Sequence, residues 1–245
     1  MAMATPDIEN RLLAGLPGRD LARFMPKLAP RFLEIGTVLF ESGEVVAAVD
    51  FPLDGVVSLV TKLENGGPVE VATVGNEGLV GVPAVAGGSL AVQAISQVAG
   101  RSLSMSTPDF LDELATSPSL ARLVQNYVQA LFGQISQAVA CNRLHSTEER
   151  LSRWLLMSQD RAGRGQFSIT QEFLGQMLGV RRATVALAAG SLERAGLISF
   201  WRGYIEILDR YGLEQVACEC YRVFRSEVDP VTGRRGSGSR PDWVG

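Results

Sequence analysis

Few residues in this chain are suited to covalent or metal chemistry: one histidine, His145, and three cysteines, Cys141, Cys218 and Cys220. Nucleophilic catalysis needs a base held beside a Ser, Cys or Thr, and metal chemistry needs several ligands held together. An odd cysteine count with no paired spacing speaks against a disulfide framework and against a four-cysteine zinc or iron–sulfur site. The thiols are therefore expected to be buried and inert, with no metal and no cofactor. His145 is expected to pack or cap near a hinge. Asp112-Glu113 and Glu148-Glu149 read as helix-start charges, which the helix dipole favours, rather than as paired catalytic acids. No phosphate-binding loop occurs. The chain is not expected to be an enzyme, and no catalytic residue is assigned.

Arginine chemistry is a different matter. Only two of the 23 basic residues are lysines, so contacts to phosphates or base edges fall to the forked guanidinium. Residues 168–198 contain Thr170-Gln171-Glu172, a glycine at 179, the pair Arg181-Arg182, and Leu192-Glu-Arg-Ala-Gly-Leu-Ile198. Thr170 is an expected N-cap for a two-turn helix over 171–178, Gly179 an expected tight turn, and Arg181–Arg194 an expected second helix. Two short helices joined by a glycine turn form a helix-turn-helix. On the second helix Val185, Ala188, Ala189 and Leu192 share an arc that must pack inward. Ala183, Ala186, Leu187 and Gly190 share the opposite arc, which is neither bulky nor acidic and fits a base-pair floor. Trp201-Arg202-Gly203 then separates two β-runs within 197–208, an expected wing with Arg202 at its tip. Thr170, Gln171, Arg181, Arg182, Ala183, Thr184, Leu187 and Arg202 are thus the candidate DNA-binding residues.

The rest of the chain must position that segment. Helical intervals run through 7–29. From Arg31 to Ser106, valine-rich runs (37–40, 45–49, 55–61, 69–74, 90–98, 101–105) alternate with Gly-rich turns such as 64–67, the pattern of an antiparallel roll. Helix starts stand at Thr107-Pro108 and Ser117-Pro118, and no proline interrupts from there to Leu144. Leu120, Val124, Tyr127, Leu131, Ile135 and Ala138 step along one face of this long helix and are the candidate dimerisation residues; Leu123, Val128, Phe132 and Val139 widen the stripe. Residues 146–225 read helix, helix, helix, hairpin, helix. Charge divides accordingly: residues 1–144 carry 9 basic and 14 acidic residues, net −5, whereas 145–225 carry 11 and 9, net +2.

The expected fold class is therefore α+β: a β-roll sensor with N-terminal helices over 1–116, a dimerisation helix over 117–145, a winged helix-turn-helix over 146–225, and a disordered tail over 226–245. The uncharged run from Leu79 to Gly100 contains Pro83 and paired glycines and suits buried strands better than a membrane span. Met1–Arg19 has neither the basic start nor the apolar core of a secretory signal, so the expected location is cytoplasmic, away from membranes.

The order Thr-Gln-Glu, Leu-Gly-Val-Arg-Arg-Ala-Thr-Val, Leu-Glu-Arg-Ala-Gly-Leu-Ile resembles the DNA-binding domain of the Crp–Fnr family of regulators, relatives of the cyclic-AMP receptor protein. The roll, long helix and winged helix follow in that family's order. The resemblance implies a homodimer joined along the long helix, with two recognition helices entering successive major grooves of double-stranded DNA about 34 Å apart. It also implies RNA polymerase as a further partner if the protein activates transcription.

The chain departs from the family's pattern in two places. Where the best-known members read bases with a glutamate and an arginine, this sequence has Ala183 and Leu187. Only Arg182 keeps a base-reading residue, while Arg181 and Thr184 match backbone-contact positions; Ala183 and Leu187 are expected to meet thymine methyls. Cyclic-nucleotide-binding members carry a Gly-Glu loop and then an Arg-Ser or Arg-Thr pair. Gly75-Asn-Glu77-Gly78 echoes the loop, but residues 89–97 contain no arginine, and Gln93 and Gln97 are weak substitutes for a cation facing a phosphate. Glu77, Gly78, Gln93 and Gln97 are the candidate effector residues, tight cyclic-AMP binding is not expected, and the roll either binds an unknown small-molecule effector or serves as a scaffold. The alternative to a DNA-binding regulator is a winged-helix protein-interaction module.

Overall fold

A computed structural model describes residues 8–64, 67–85 and 87–231. The chain opens with two short helices, α1 (Arg11–Ala14) and α2 (Gly18–Phe24), followed by one 3-10 turn. Five strands come next: β1 (Ala29–Leu33), β2 (Val38–Phe40), β3 (Ala48–Pro52), β4 (Val56–Lys62) and β5 (Pro68–Val74). A short helix α3 (Val82–Val85) precedes β6 (Gln93–Val98) and β7 (Gly100–Ser106). The strands form two antiparallel sheets in the orders β1-β7-β3 and β2-β6-β4-β5, the double-layered roll expected from the valine runs.

Helix α4 (Thr107–Thr116) and the long α5 (Pro118–Leu144) begin where Ser-Thr-Pro and Ser-Pro predict. Ser106 accepts from the Asp109 backbone N–H and Ser117 from that of Leu120, each satisfying a free donor of the first turn. Phe51 packs edge-on against Phe24 at 5.7 Å between ring centres and against Phe110 at 6.2 Å, fixing α2 and α4 to the roll.

The C-terminal half contains α6 (Thr147–Ala162), β8 (Gln166–Ser168), α7 (Gln171–Leu178), α8 (Arg182–Arg194), the hairpin β9 (Ile198–Trp201) and β10 (Tyr204–Ile207), then α9 (Arg210–Val216) and α10 (Cys220–Val231). Ser146 and Glu149 form a reciprocal capping box at the start of α6.

Sequence pattern and structure differ at five points. The expected N-terminal helical stretch ends earlier, because 29–33 pair with β7. The strand expected at 45–49 lies at 48–52, in register with β7. The hairpin has a third strand, β8, too short to show a period, and two helices rather than one follow it. Helix α10 also continues to Val231, past the expected tail boundary at 226; the rest of that tail, 232–245, and positions 65 and 66 of the 64–67 turn lie outside the described residues.

Two apolar cores result. One gathers α1, α2, the roll, α4 and the first half of α5; the other gathers the end of α5 with α6–α10 and includes Val56 and Val98 of the roll. The two halves therefore share a packed seam. Among the described residues no helix is long and apolar enough to cross a membrane.

Candidate nucleic-acid interface

Helices α7 and α8 are placed by local chemistry. Thr170 Oγ1 accepts from Phe173 N at 3.1 Å and starts α7. Gly179 ends it at φ +63°, a left-handed conformation that glycine adopts without steric cost, and Val180 N bonds back to Gly175 O at 2.9 Å. Leu174 and Leu178 of α7 are buried in one cluster with Val185, Ala188, Ala189 and Leu192 of α8, the inward arc that helical spacing predicts, and Met177 is buried as well.

The other face of α8 is open. Arg181, Arg182, Ala183, Thr184, Ala186 and Leu187 are all exposed, Leu187 at 75%. Arg181 occupies the N-cap position without a side-chain cap, and Arg181 and Arg182 both stand exposed at the start of α8. Partial positive charge at a helix start together with two arginines suits phosphate. Thr170 is exposed and Gln171 half-buried at the start of α7, on the same helix-turn-helix unit.

The wing is a two-residue hairpin. Arg202 at φ +45° and Gly203 at φ +83° both lie in the left-handed region, as a primed turn between twisted strands requires. Arg202 is the only described non-glycine residue with positive φ, and its side chain is exposed. Trp201 and Tyr204 stack across the hairpin with ring centres 6.2 Å apart. Glu193 Oε1 accepts from Phe200 N at 2.7 Å, tying the wing to α8. Opposite the start of α8, Leu63, Pro68 and Val69 of the β4–β5 hairpin form one wall of an open groove of ≈ 890 Å³ whose other wall includes Arg181, Arg182 and Thr184.

Each candidate effector residue has a partner of its own, and Glu77 brings one of them to the seam between the halves. Glu77 Oε1 accepts from Arg161 Nε at 2.8 Å, and Arg161 Nη1 donates to Thr73 Oγ1 at 2.6 Å. Gly78 lies against the Tyr127 ring, where a Cβ would come within 2.0 Å. Gln97 Oε1 and Glu70 Oε2 share the single Ser58 hydroxyl, and Gln93 Nε2 donates to Glu41 Oε2 at 2.7 Å. Arg161, Glu70 and Arg153, which line or approach this seam, carried no sequence signal, because each sits in an ordinary stretch of helix or strand.

The candidate dimerisation stripe needs correction. Leu120, Val124, Tyr127 and Leu131 are buried within the chain's own roll core, and Ile135 and Ala138 are half-buried. Along the middle of α5 the large apolar side chains left in the open are Phe132 at 71% and Val139 at 68% exposure, one heptad apart, flanked by half-buried Val128 and Ile135; Leu144 at the helix end is also exposed. The original stripe was the inward one, because the roll needs a helix face of its own to close its core. His145 is the C-cap residue of α5, and its backbone N–H bonds to Cys141 O.

Residues 149–216 match the Crp-like helix-turn-helix domain family. No curated protein matches the chain. Among solved structures, FixK2 of Bradyrhizobium japonicum superposes with a TM-score of 0.66 at 16% identity, over 78% of this chain and 98% of that one. A CRP-family transcriptional regulator of Thermus thermophilus gives 0.64 at 17% identity, over 76% and 96%. The c-di-GMP-responsive global regulator CLP of Xanthomonas campestris gives 0.61 at 14% identity, over 78% and 99%. These likenesses show a shared fold over about three quarters of the chain.

Proposed function

We propose that this chain, which carries a Crp-like helix-turn-helix domain on the fold of Crp/Fnr-family regulators, is a homodimeric, sequence-specific DNA-binding transcription regulator. The observation that carries this reading is the division of α8: Val185, Ala188, Ala189 and Leu192 are buried, while Arg181, Arg182, Ala183, Thr184 and Leu187 face outward without an acidic residue among them. Arg182 reads a base edge, Arg181, Thr184 and Arg202 hold phosphates, and Ala183 and Leu187 lie against thymine methyls. Thr170 and Gln171 contact the backbone from the start of α7. Dimerisation runs along Val128, Phe132, Ile135 and Val139 of α5.

The roll acts on the DNA-binding half through the shared seam. Glu77 stands in the loop after β5, and the cation facing its Oε1 is Arg161 of the same chain, so this carboxylate is already paired with a charge from within. That supports the expectation that cyclic AMP does not bind tightly. A signal that displaces Glu77 from Arg161 frees the DNA-binding half to reorient, a two-state element of the kind regulators use.

Selection of random duplex DNA on the purified protein, with and without metabolite extract, tests the function. A two-fold-symmetric consensus with half-sites about one helical turn apart is expected, with affinity falling steeply as salt rises. No enrichment in either condition, with affinity indifferent to salt, would replace the regulator with a winged-helix protein-interaction module.

A further inference from the structure

Four side chains that the DNA-binding reading does not use converge where the end of α5 meets the α9–α10 connection. Cys141 and His145 are four residues apart and so share one face of the last helical turn. Cys218 and Cys220 flank Glu219, Cys218 just after α9 and Cys220 at the first position of α10. The potential ligand atoms of all four lie within 4.8 Å of one another. Cys141 Sγ is 3.6 Å from Cys218 Sγ, and Cys220 Sγ is 3.6 Å from His145 Nδ1.

These spacings are those of a single coordination sphere. Metal–sulfur bonds of about 2.3 Å and metal–nitrogen bonds of about 2.0 Å, arranged tetrahedrally, put two sulfurs about 3.8 Å apart and a sulfur and a nitrogen about 3.5 Å apart. A polynuclear iron–sulfur cluster would spread its thiolates over different irons, farther apart than this. The three cysteines are free thiols, all buried, and His145 is 14% exposed at its side chain.

The surroundings are those of a ligand set as well. His145 turns Nδ1 toward the sulfurs while Nε2 lies 3.1 Å from Glu219 Oε2, the carboxylate–histidine arrangement that orients metal-bound imidazoles. Gln137 Nε2 donates to Cys220 Sγ at 3.0 Å. Arg150 and Arg153 of α6, both buried, exert positive charge on Cys141. Three thiolates around a divalent ion leave one net negative charge, which these arginines offset.

We propose that Cys141, His145, Cys218 and Cys220 bind one Zn²⁺ ion in a closed Cys₃His site that clamps the long helix to the C-terminal helices. Soft thiolates with an imidazole in a tetrahedral frame select zinc among common divalent ions, and four protein ligands leave no open position for catalysis. Binding releases the protons of the three thiols to solvent. The site replaces the expectation of inert thiols and no metal, and it does not depend on the DNA-binding reading.

Elemental analysis of full-length protein purified without chelator is expected to find about one zinc per chain. Stripping under reductant and reloading with Co²⁺ is expected to give the strong ligand-field and thiolate charge-transfer bands of a tetrahedral cobalt thiolate site. Cys220→Ser and His145→Ala should each lower zinc content, whereas Cys218→His should retain it. The cobalt spectrum of the unmodified chain reads the site even where a variant fails to fold. Folded, reduced protein that takes up less than about a tenth of an equivalent of added zinc overturns the proposal, as does an octahedral cobalt spectrum. So does full metal content in a folded Cys141→Ser/Cys218→Ser double variant.

Discussion

Arg161 Nε donates to Glu77 Oε1 at 2.8 Å, and both side chains are almost wholly buried, so the last turn of α6 is bonded to the loop after β5. Ion pairs out of water contribute little net stability when intact, but removing one partner leaves an uncompensated charge. Arg161→Ala is therefore expected to destabilise the protein by about 3–5 kcal/mol in urea unfolding. Adding Glu77→Gln should restore a large part of that loss. Singles that each cost under about 1 kcal/mol and simply add would show that the pair is not coupled.

The same seam holds Glu70, whose Oε2 accepts from Ser58 Oγ at 2.6 Å and faces Trp154 Nε1 at 3.4 Å. Burial pushes its carboxyl up from 4.5 to about 7, against the opposing pull of Ser58 and Arg153. Below the ordinary pKa both folded and unfolded chains hold the proton, and Glu70 contributes no pH dependence. Between about pH 4.5 and 7 the unfolded chain has lost it while the folded chain keeps it, so stability falls as pH rises and levels off above 7. Glu70→Gln should flatten this decline by at most about 3 kcal/mol, read from unfolding midpoints across the range. An unchanged pH profile in the variant would place the titration elsewhere.

Gly78 abuts the Tyr127 ring so closely that a Cβ there would lie 2.0 Å from Tyr127 Cε2. Gly78→Ala should cost about 1–3 kcal/mol through overpacking, with partial relief when Tyr127 is shortened to leucine. Thermal unfolding of the single and double variants measures both effects; a neutral Gly78→Ala would mean that the ring moves aside freely.

On α5, Phe132→Asp places a charge on an exposed side chain that makes no core contact in its own chain, so the fold should survive. Sedimentation is expected to show a monomer for this variant and the proposed dimer for the parent chain. A dimer of unchanged affinity would move the interface off this helix face.

At the proposed DNA interface the two arginine positions should behave differently. Arg182→Ala is expected to cost about 1–3 kcal/mol on the selected site and to relax specificity at one base pair. Arg202→Ala should weaken all duplexes alike and lower the slope of log affinity against log salt by about 1. Identical losses on specific and random DNA for both variants would remove the base-reading role from Arg182.

Whatever depends on neighbours a few residues away is legible in the chain directly. Helix starts at Ser106, Ser117, Ser146 and Thr170 follow from hydroxyls that satisfy first-turn donors, and the buried arc of α8 follows from a period of 3.6 residues. The alternation of valine runs with glycine turns marked the roll for a similar local reason. Tertiary structure alone decided which of two apolar faces of α5 the roll consumes, because both faces have helical spacing and only the closed roll distinguishes Leu120–Tyr127 from Phe132–Val139. It alone brought Arg161 to Glu77 and Cys141 and His145 to Cys218 and Cys220, pairs separated by more than seventy positions. Such contacts are set by how packed elements close on one another over long loops, and no periodicity or spacing within one element carries that information.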